Sequence, residues 1–336
     1  VPKILVNDDG SLGQPNDLKA LSIEHKIGIH ACPTCVMSYG EEDGAIGYLV
    51  GEENRGIQCM FTMMNYERLS VGLQGLGAAD LAYQLSASYA RDRIQGRSVS
   101  GPQNPDAAAD SILVHPDVRR MLLTQRAYAE GCRAFALYVG LQLDEAKYNN
   151  NERAGRISEM LTPVVKAFLT DKGLDGAVMG QQVLGGHGFI KEWGMEQIVR
   201  DARIGQIYEG ANGIQALDLV GRKIMRDGGA LMLELLEEMR ASDVDAAYKA
   251  ELTEACERLA RSTRSIVARG KNDPHLPGAV SVDYLEMVGM TMCAWVWALM
   301  ATQAPEDDFG VAKKATARYF YDRLLPKTLG LERSIE

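Results

Sequence analysis

The sequence predicts a mainly α-helical fold: a partial antiparallel β-domain, then a four-helix bundle, then an additional helical domain. Three observations lead there. Turn-forming residues crowd the first 56 positions and separate short β-type runs. From Ile57 no proline occurs until Pro102, while apolar residues recur at helical spacing. Further long periodic stretches follow, joined by short connections, as in a bundle.

The β-type runs are ILV, CVM and IGYLV, set between Asn7-Asp8-Asp9-Gly10, Pro15-Asn16-Asp17, Tyr39-Gly40 and Asp43-Gly44. They predict part of a small β-domain over residues 1–56. MFTMMNYERLSVGLQGLGAADLAYQLSASYARDR predicts one long helix. After a loop at Ser98 to Asp110, Pro116 sits where a first helical turn tolerates proline, and DVRRMLLTQRAYAEGCRAFALYVGLQLDEAKY continues as a second helix. Asn149 to Asn151 break it. ERAGRISEMLTPVVKAFLTDKGLDGAVMGQQVLGG predicts a third helix, disturbed near Pro163 and stopped by Gly185-Gly186. A fourth begins just after Glu209 and runs through ALDLVGRKIM, completing a bundle over 57–226. Beyond Asp227-Gly228-Gly229 come ALMLELLEEMR, a helix initiated at Ser242 and ending near Arg269, an apolar helix around Trp295, and FGVAKKATARYFYDRLL. They predict a separate helical domain over 227–336.

Composition narrows the function classes. Lys plus Arg number 36 against 45 Asp plus Glu, and the basic residues are scattered, which argues against nucleic acid as a partner. The apolar run Met287 to Ala301 falls short of the roughly 20 residues of a membrane-spanning helix and reads as a buried one. Six cysteines without a secretory leader predict reduced thiols in a cytoplasmic setting. Cys32-Pro33-Thr34-Cys35 has redox or zinc spacing, yet no second ligand pair completes a zinc site and no βαβ setting surrounds it, so no metal is expected. Both ends read as interior: VPKILV lacks an initiator methionine or leader, and the chain closes in a polar helix without a stop signal. A longer parent protein is expected.

Three stretches could carry chemistry. In RDARIGQIYEGANGIQ, Glu209 precedes Gly210 and a helix, leaving an open side where a ligand could approach the backbone. A solvated turn carboxylate is the competing reading, and the helix dipole favours its ionised form. In QQVLGGHGF, the glycines either cap a helix or admit a pyrophosphate; a dinucleotide fingerprint does not fit, and His187 reads as structural. In ARDRIQGR, the arginines either complement a helix C-terminus or hold a phosphate.

Taken in order, Glu67-Arg68, YARDRIQGR, QVLGGHGF and RDARIGQIYEGANGIQ resemble the C-terminal half of an acyl-CoA dehydrogenase, over residues 1 to about 225. The helical tail resembles the extra domain of the longer bacterial members, a group that includes dehydrogenases of methylthio-substituted propionyl-CoA. The resemblance implies FAD as cofactor, an acyl-CoA substrate, an electron-transfer flavoprotein as acceptor and a homo-oligomer. It makes Glu209 the base that removes the α-proton while the β-hydride passes to flavin N5, with substrate burial strengthening that base. It makes the Glu209 N–H a donor to the thioester oxygen. Tyr208 and Gly210 would border the thioester, and Arg68 would approach the CoA end. Arg93 with Gln95, and Gln182 with Gly185 and Gly186, would reach the FAD of a neighbouring subunit. His25 to Met37 would border the substrate cavity. The chain departs from the pattern at Ala211, where many members carry a cofactor-contacting threonine, and at Gly96, near a position often aromatic. With the family's N-terminal half missing, weak FAD binding and poor turnover are expected of these 336 residues alone. An acyl-CoA oxidase, or a non-catalytic helical interaction protein on the same scaffold, are the alternative readings.

Overall fold

The computed structural model describes residues 1–336, the side chains of Thr62 and Asn65 excepted. Contacts divide it into two compact units, Val1–Met64 and Asn65–Glu336.

In the first unit, β1 (Ile4–Val6) pairs antiparallel with β2 (Leu12–Pro15), and β3 (Leu18–Ile23) with β4 (Cys35–Tyr39). The expected strand IGYLV does not form: Tyr48, Leu49 and Val50 are exposed, and the run enters no strand pair. A strand is stable only where a neighbour accepts its backbone bonds. Here Ile46 is instead pinned by the Asn16 side chain, which accepts from its N–H at 2.9 Å and donates to its carbonyl at 2.8 Å.

Helix α1 (Gly56–Asp92) leads into the second unit, where α2 (Pro116–Tyr148) and α3 (Glu152–Leu184) pack along their length. Pro116 opens α2, and the Asn151 side chain accepts from Ala154 N to cap α3. The expected disturbance at Pro163 is absent, for α3 is helical throughout. An interior proline costs about 3 kcal/mol. Fully buried apolar neighbours, Leu161, Val164, Val165, Phe168 and Leu169, offset that loss. Helices α1 and α3 cross at backbone contact: a Cβ added at Gly173 would lie 2.4 Å from the Gly75 carbonyl, and one at Gly75 would lie 2.5 Å from the Leu169 carbonyl.

Helix α4 (Met195–Arg203) leads through a 3-10 turn, Ile204–Gln206, towards α5 (Asn212–Leu217). A π-helical segment, Asp218–Ile224, then joins α5 to α6 (Met225–Asp227). Gly228 and Gly229 turn the chain with positive φ into α7 (Ala230–Ala241), followed by α8 (Ala246–Gly270), α9 (Leu276–Ala279), α10 (Ser281–Thr302), α11 (Asp308–Tyr319) and α12 (Lys327–Ile335). Ser242 does not initiate α8. It ends α7, where its hydroxyl accepts from Trp295 Nε1, and Asp245 caps α8 instead by accepting from Ala247 N. Helix α10 is long and apolar enough to cross a membrane, yet 78% of its apolar window is buried inside this unit. Trp297 Nε1 donates to the Ala127 carbonyl of α2, and Lys172 of α3 pairs with Glu286 at 2.6 Å. One core therefore runs from the bundle into the C-terminal helices.

Candidate active site

Between α4 and α5 the chain reverses at Glu209, φ +53, and Gly210, φ +84. A left-handed conformation costs a non-glycine residue about 1–2 kcal/mol, so such a turn needs external support. Gly210 also lacks room for a side chain, since a Cβ there would lie 2.4 Å from Gln215 Nε2.

The support comes from α3 and α5. Gln215, fully buried, donates to the Glu209 and Gly210 carbonyls, both at 3.2 Å. Lys166, also fully buried, donates to the Gly210 carbonyl at 2.8 Å and to Asn212 Oδ1 at 2.9 Å. Asn212 Nδ2 in turn donates to Asp171 Oδ1 at 2.8 Å, which also accepts from Gln206 Nε2 at 2.6 Å. On the other side, the Tyr208 hydroxyl donates to Gln74 of α1. The result is a half-buried Glu209 whose N–H makes no hydrogen bond among the described residues.

Charge is concentrated behind this turn. Burial pushes the Lys166 ammonium down to about 8, with Asp171 and Glu209 opposing the shift and Arg68 adding to it. Arg68 reaches in from α1 and pairs with Asp218 at 3.4 Å, at the start of the π-helical segment. Its Nε and the Oε1 of Gln215 are buried without a partner among the described residues.

Arg93, Gln95, Gln182, Gly185 and Gly186 gather elsewhere, around the C-terminal ends of α1 and α3. Arg93 is exposed, with Nη2 at 3.4 Å from Gln95 Oε1. Gln95 is fixed by its backbone, its N–H donating to the Asp110 carbonyl and its own carbonyl facing His115 Nε2 at 2.7 Å. Asp110 ties the following loop: the N–H groups of Ser98 and then Asn104 lead in holding its carboxyl down at about 2. Gln182 is exposed on the last turn of α3, where its carbonyl accepts from Gly185 N. Nothing lies within 4 Å of where side chains at Gly185 and Gly186 would stand, so this backbone is open to close approach. Arg93 and Tyr89 face Leu184, His187 and Trp193 across a cleft of about 420 Å³. His187 is held there, its Nδ1 2.9 Å from the Tyr89 hydroxyl and its ring stacked on Trp193 at 4.4 Å.

The candidates thus form two groups. Glu209, Tyr208, Gly210 and Arg68 surround the turn; of the other five, near the C-terminal ends of α1 and α3, Arg93 lines the cleft. Lys166 and Leu184 mark the two places along α3, about 27 Å apart at the rise of a helix. Sequence reasoning missed Lys166, Asn212, Gln215 and the Tyr89–His187–Trp193 stack. Lys166 did leave a signal, being the one charge in the apolar run Val164–Leu169.

A family model described as "Acyl-CoA dehydrogenase, C-terminal domain" matches residues 54–225, and one described as "Acetyl-CoA dehydrogenase C-terminal like" matches 232–336. The chain is 42% identical to 3-methylmercaptopropionyl-CoA dehydrogenase of Ruegeria pomeroyi, over 97% of this chain and 57% of that protein. It is 31% identical to the broad-specificity linear acyl-CoA dehydrogenase FadE5 of Mycobacterium tuberculosis, over 100% of this chain and 60% of that protein. The fold is that of an acyl-CoA dehydrogenase from Bacillus anthracis complexed with FAD, with a TM-score of 0.74 at 20% identity, covering 95% of this chain and 56% of that one. The chain therefore spans less than two thirds of the length of each of these proteins.

Proposed function

The chain belongs to the acyl-CoA dehydrogenase family, and from that premise we propose that the protein containing it oxidises a saturated acyl-CoA thioester to the 2-enoyl-CoA, with Glu209 as the base. The observation that carries this reading is the left-handed Glu209–Gly210 turn, whose two carbonyls are tied down while its carboxylate and N–H are left uncommitted. A carboxylate on such a turn takes the α-proton, and the Glu209 N–H donates to the thioester oxygen as negative charge develops there. Tyr208, fixed against Gln74, borders the thioester. Arg68, ion-paired to Asp218, adds positive potential at the CoA side rather than a free hydrogen-bonding fork.

FAD, when bound, supplies the acceptor for the β-hydride. The residues at the C-terminal ends of α1 and α3 fit such a group: an exposed guanidinium at Arg93 in the cleft, open backbone at Gly185 and Gly186, and polar side chains at Gln95 and Gln182 suit a pyrophosphate and its ribose. The contacts of the turn on α3, at Lys166 and Asp171, stand about 20–27 Å along the helix from Leu184 in the cleft, too far for both to serve the same end of one cofactor. This separation supports a homo-oligomer in which the cleft of one subunit holds the FAD that meets the base of another. An electron-transfer flavoprotein is the proposed acceptor. Among substrates, the 42% identity favours a short methylthio-substituted propionyl thioester.

The test uses the complete protein, with flavin bleaching recorded against a panel of saturated acyl-CoAs that includes the methylthio-propionyl thioester. Glu209→Gln should lower kcat by roughly 10²- to 10⁴-fold, the range of general-base contributions. A loss of less than about tenfold, or roughly 1.4 kcal/mol of barrier, would remove Glu209 as the base.

A further inference from the structure

Lys166 has no role in the chemistry proposed above, yet its position is costly. It is 0% exposed and lies on α3 between Val165 and Ala167, both buried. An ammonium withdrawn from water loses several kcal/mol of solvation, which strong partners must offset. Lys172, six positions on, meets that demand with a carboxylate, Glu286, at 2.6 Å. Lys166 forms no ion pair among the described residues, and its hydrogen bonds go to two neutral oxygens, Gly210 O at 2.8 Å and Asn212 Oδ1 at 2.9 Å. Both belong to the segment that follows Glu209. A leucine or methionine would fill the same volume with less penalty, so packing gives no reason for an amine at this position.

We propose that Lys166 is the positioning residue of the Glu209 turn: its ammonium, anchored in the rigid middle of α3, grips the Gly210 carbonyl and the Asn212 amide and holds the preceding glutamate in its left-handed conformation. This inference rests on the assignment of Glu209 as the base. The conformation it sustains is one that a glutamate leaves readily, because each left-handed non-glycine residue is disfavoured by about 1–2 kcal/mol. Gln215 holds the Gly210 carbonyl too, along with that of Glu209, but from α5, which moves with the turn it braces. From a different helix, Lys166 reaches the backbone of the turn itself, whereas Asp171 of α3 holds the side chains of Asn212 and Gln206 and Gln74 of α1 holds that of Tyr208.

The charge of Lys166 is a separate matter from its grip. Asp171 on its own helix, Arg68 on α1 and Glu209 in the turn are the charged groups acting on it, and Arg68 is itself paired with Asp218. The neutral amine retains two N–H donors, enough for both hydrogen bonds. Raising the pH therefore removes a positive charge from behind the base without releasing the turn.

The experiment compares Lys166→Met and Lys166→Gln in the complete, FAD-loaded protein, reading kcat, KM and hydrogen exchange of the segment from Ile204 to Leu217. Lys166→Met should lower kcat by about 10²-fold while KM moves less than about threefold, and exchange in that segment should accelerate while the remainder of α3 stays protected. Lys166→Gln keeps an N–H donor, and should recover part of both losses. It also serves as the test should the methionine variant not fold, with the same two readouts expected between wild type and full loss. Unchanged exchange together with kcat within about threefold of wild type overturns the proposal. The parallel Glu209→Gln variant separates the two ideas. If that variant stays active while Lys166→Met still loosens the turn, the base assignment fails and the positioning role stands. If it is inactive while neither lysine variant changes kcat or exchange, the positioning role fails and the base stands.

Discussion

Residues 209 to 215 show how strongly local geometry selects residue type. Gly210 has φ +84, and a side chain there would meet Gln215 Nε2 at 2.4 Å. Gly210→Ala should therefore destabilise the protein by about 1–3 kcal/mol, from the left-handed backbone and the displaced amide together. Thermal unfolding measures the stability loss, and a matching fall in kcat would place the damage at the turn; an alanine variant indistinguishable from wild type would contradict the geometry. In the sequence, Gly210 and a following helix mark a place where a ligand can approach the backbone, while the role given to Glu209 comes from the family resemblance. The supports of the turn were not legible there. Lys166, Asp171 and Gln206 are brought to the turn by tertiary packing, and nothing in local spacing announces a hydrogen bond between a lysine on one helix and a carbonyl beyond the end of another. Arg68 was legible as a charge on a helix, but its pairing with Asp218 and the near-burial that follows were not.

Elements were easier to read where one physical cause dominates. Apolar periodicity located α1, α2 and α3, and Pro116 and Asn151 marked two of their starts. The misread elements are those decided by partners outside the segment. IGYLV has strand composition but no neighbouring strand, Pro163 is tolerated because its surroundings are packed, and Ser242 serves a tryptophan instead of a helix start. The glycines of α1 and α3 belong here too. Read singly, Gly72, Gly75 and Gly173 only weaken a helix; together they let two backbones touch. In Gly173→Ala the new methyl would lie 2.4 Å from the Gly75 carbonyl, on a backbone that cannot swing aside. A loss of about 1–3 kcal/mol is expected from this overpacking, with a lowered unfolding midpoint as the readout. Since alanine favours an isolated helix by roughly 1 kcal/mol over glycine, an unchanged or raised midpoint would mean the helices do not meet there.

Across the molecule, the residues after Asp227 read from sequence as a separate domain, and the two family models also meet near that point. In three dimensions α10 lies against α2, α3 and α5, and its buried face belongs to the same core as the bundle. Lys172 and Glu286 span that contact. Burial alone would lower the Lys172 pKa, but the facing Glu286 carboxylate, with Asp175 and Asp171, more than reverses this and raises it. Periodicity cannot report such sharing, because a helix pattern identifies which face is apolar and not which neighbour covers it.

The spacing of about 20–27 Å along α3 between the contacts of the Glu209 turn and the Arg93 cleft has a genetic consequence. If each catalytic centre draws its base from one polypeptide and its cofactor grip from another, two defective alleles can rescue each other. Subunits carrying Glu209→Gln, mixed with subunits carrying Arg93→Ala, would assemble some hybrids in which one centre inherits both lesions and its twin inherits neither. For random pairing in a two-fold dimer, half of the assemblies are hybrid and each has one intact centre, so the mixture should recover about a quarter of wild-type turnover. Either variant alone should recover almost none, and a mixture no more active than its parents would place both functions in a single subunit.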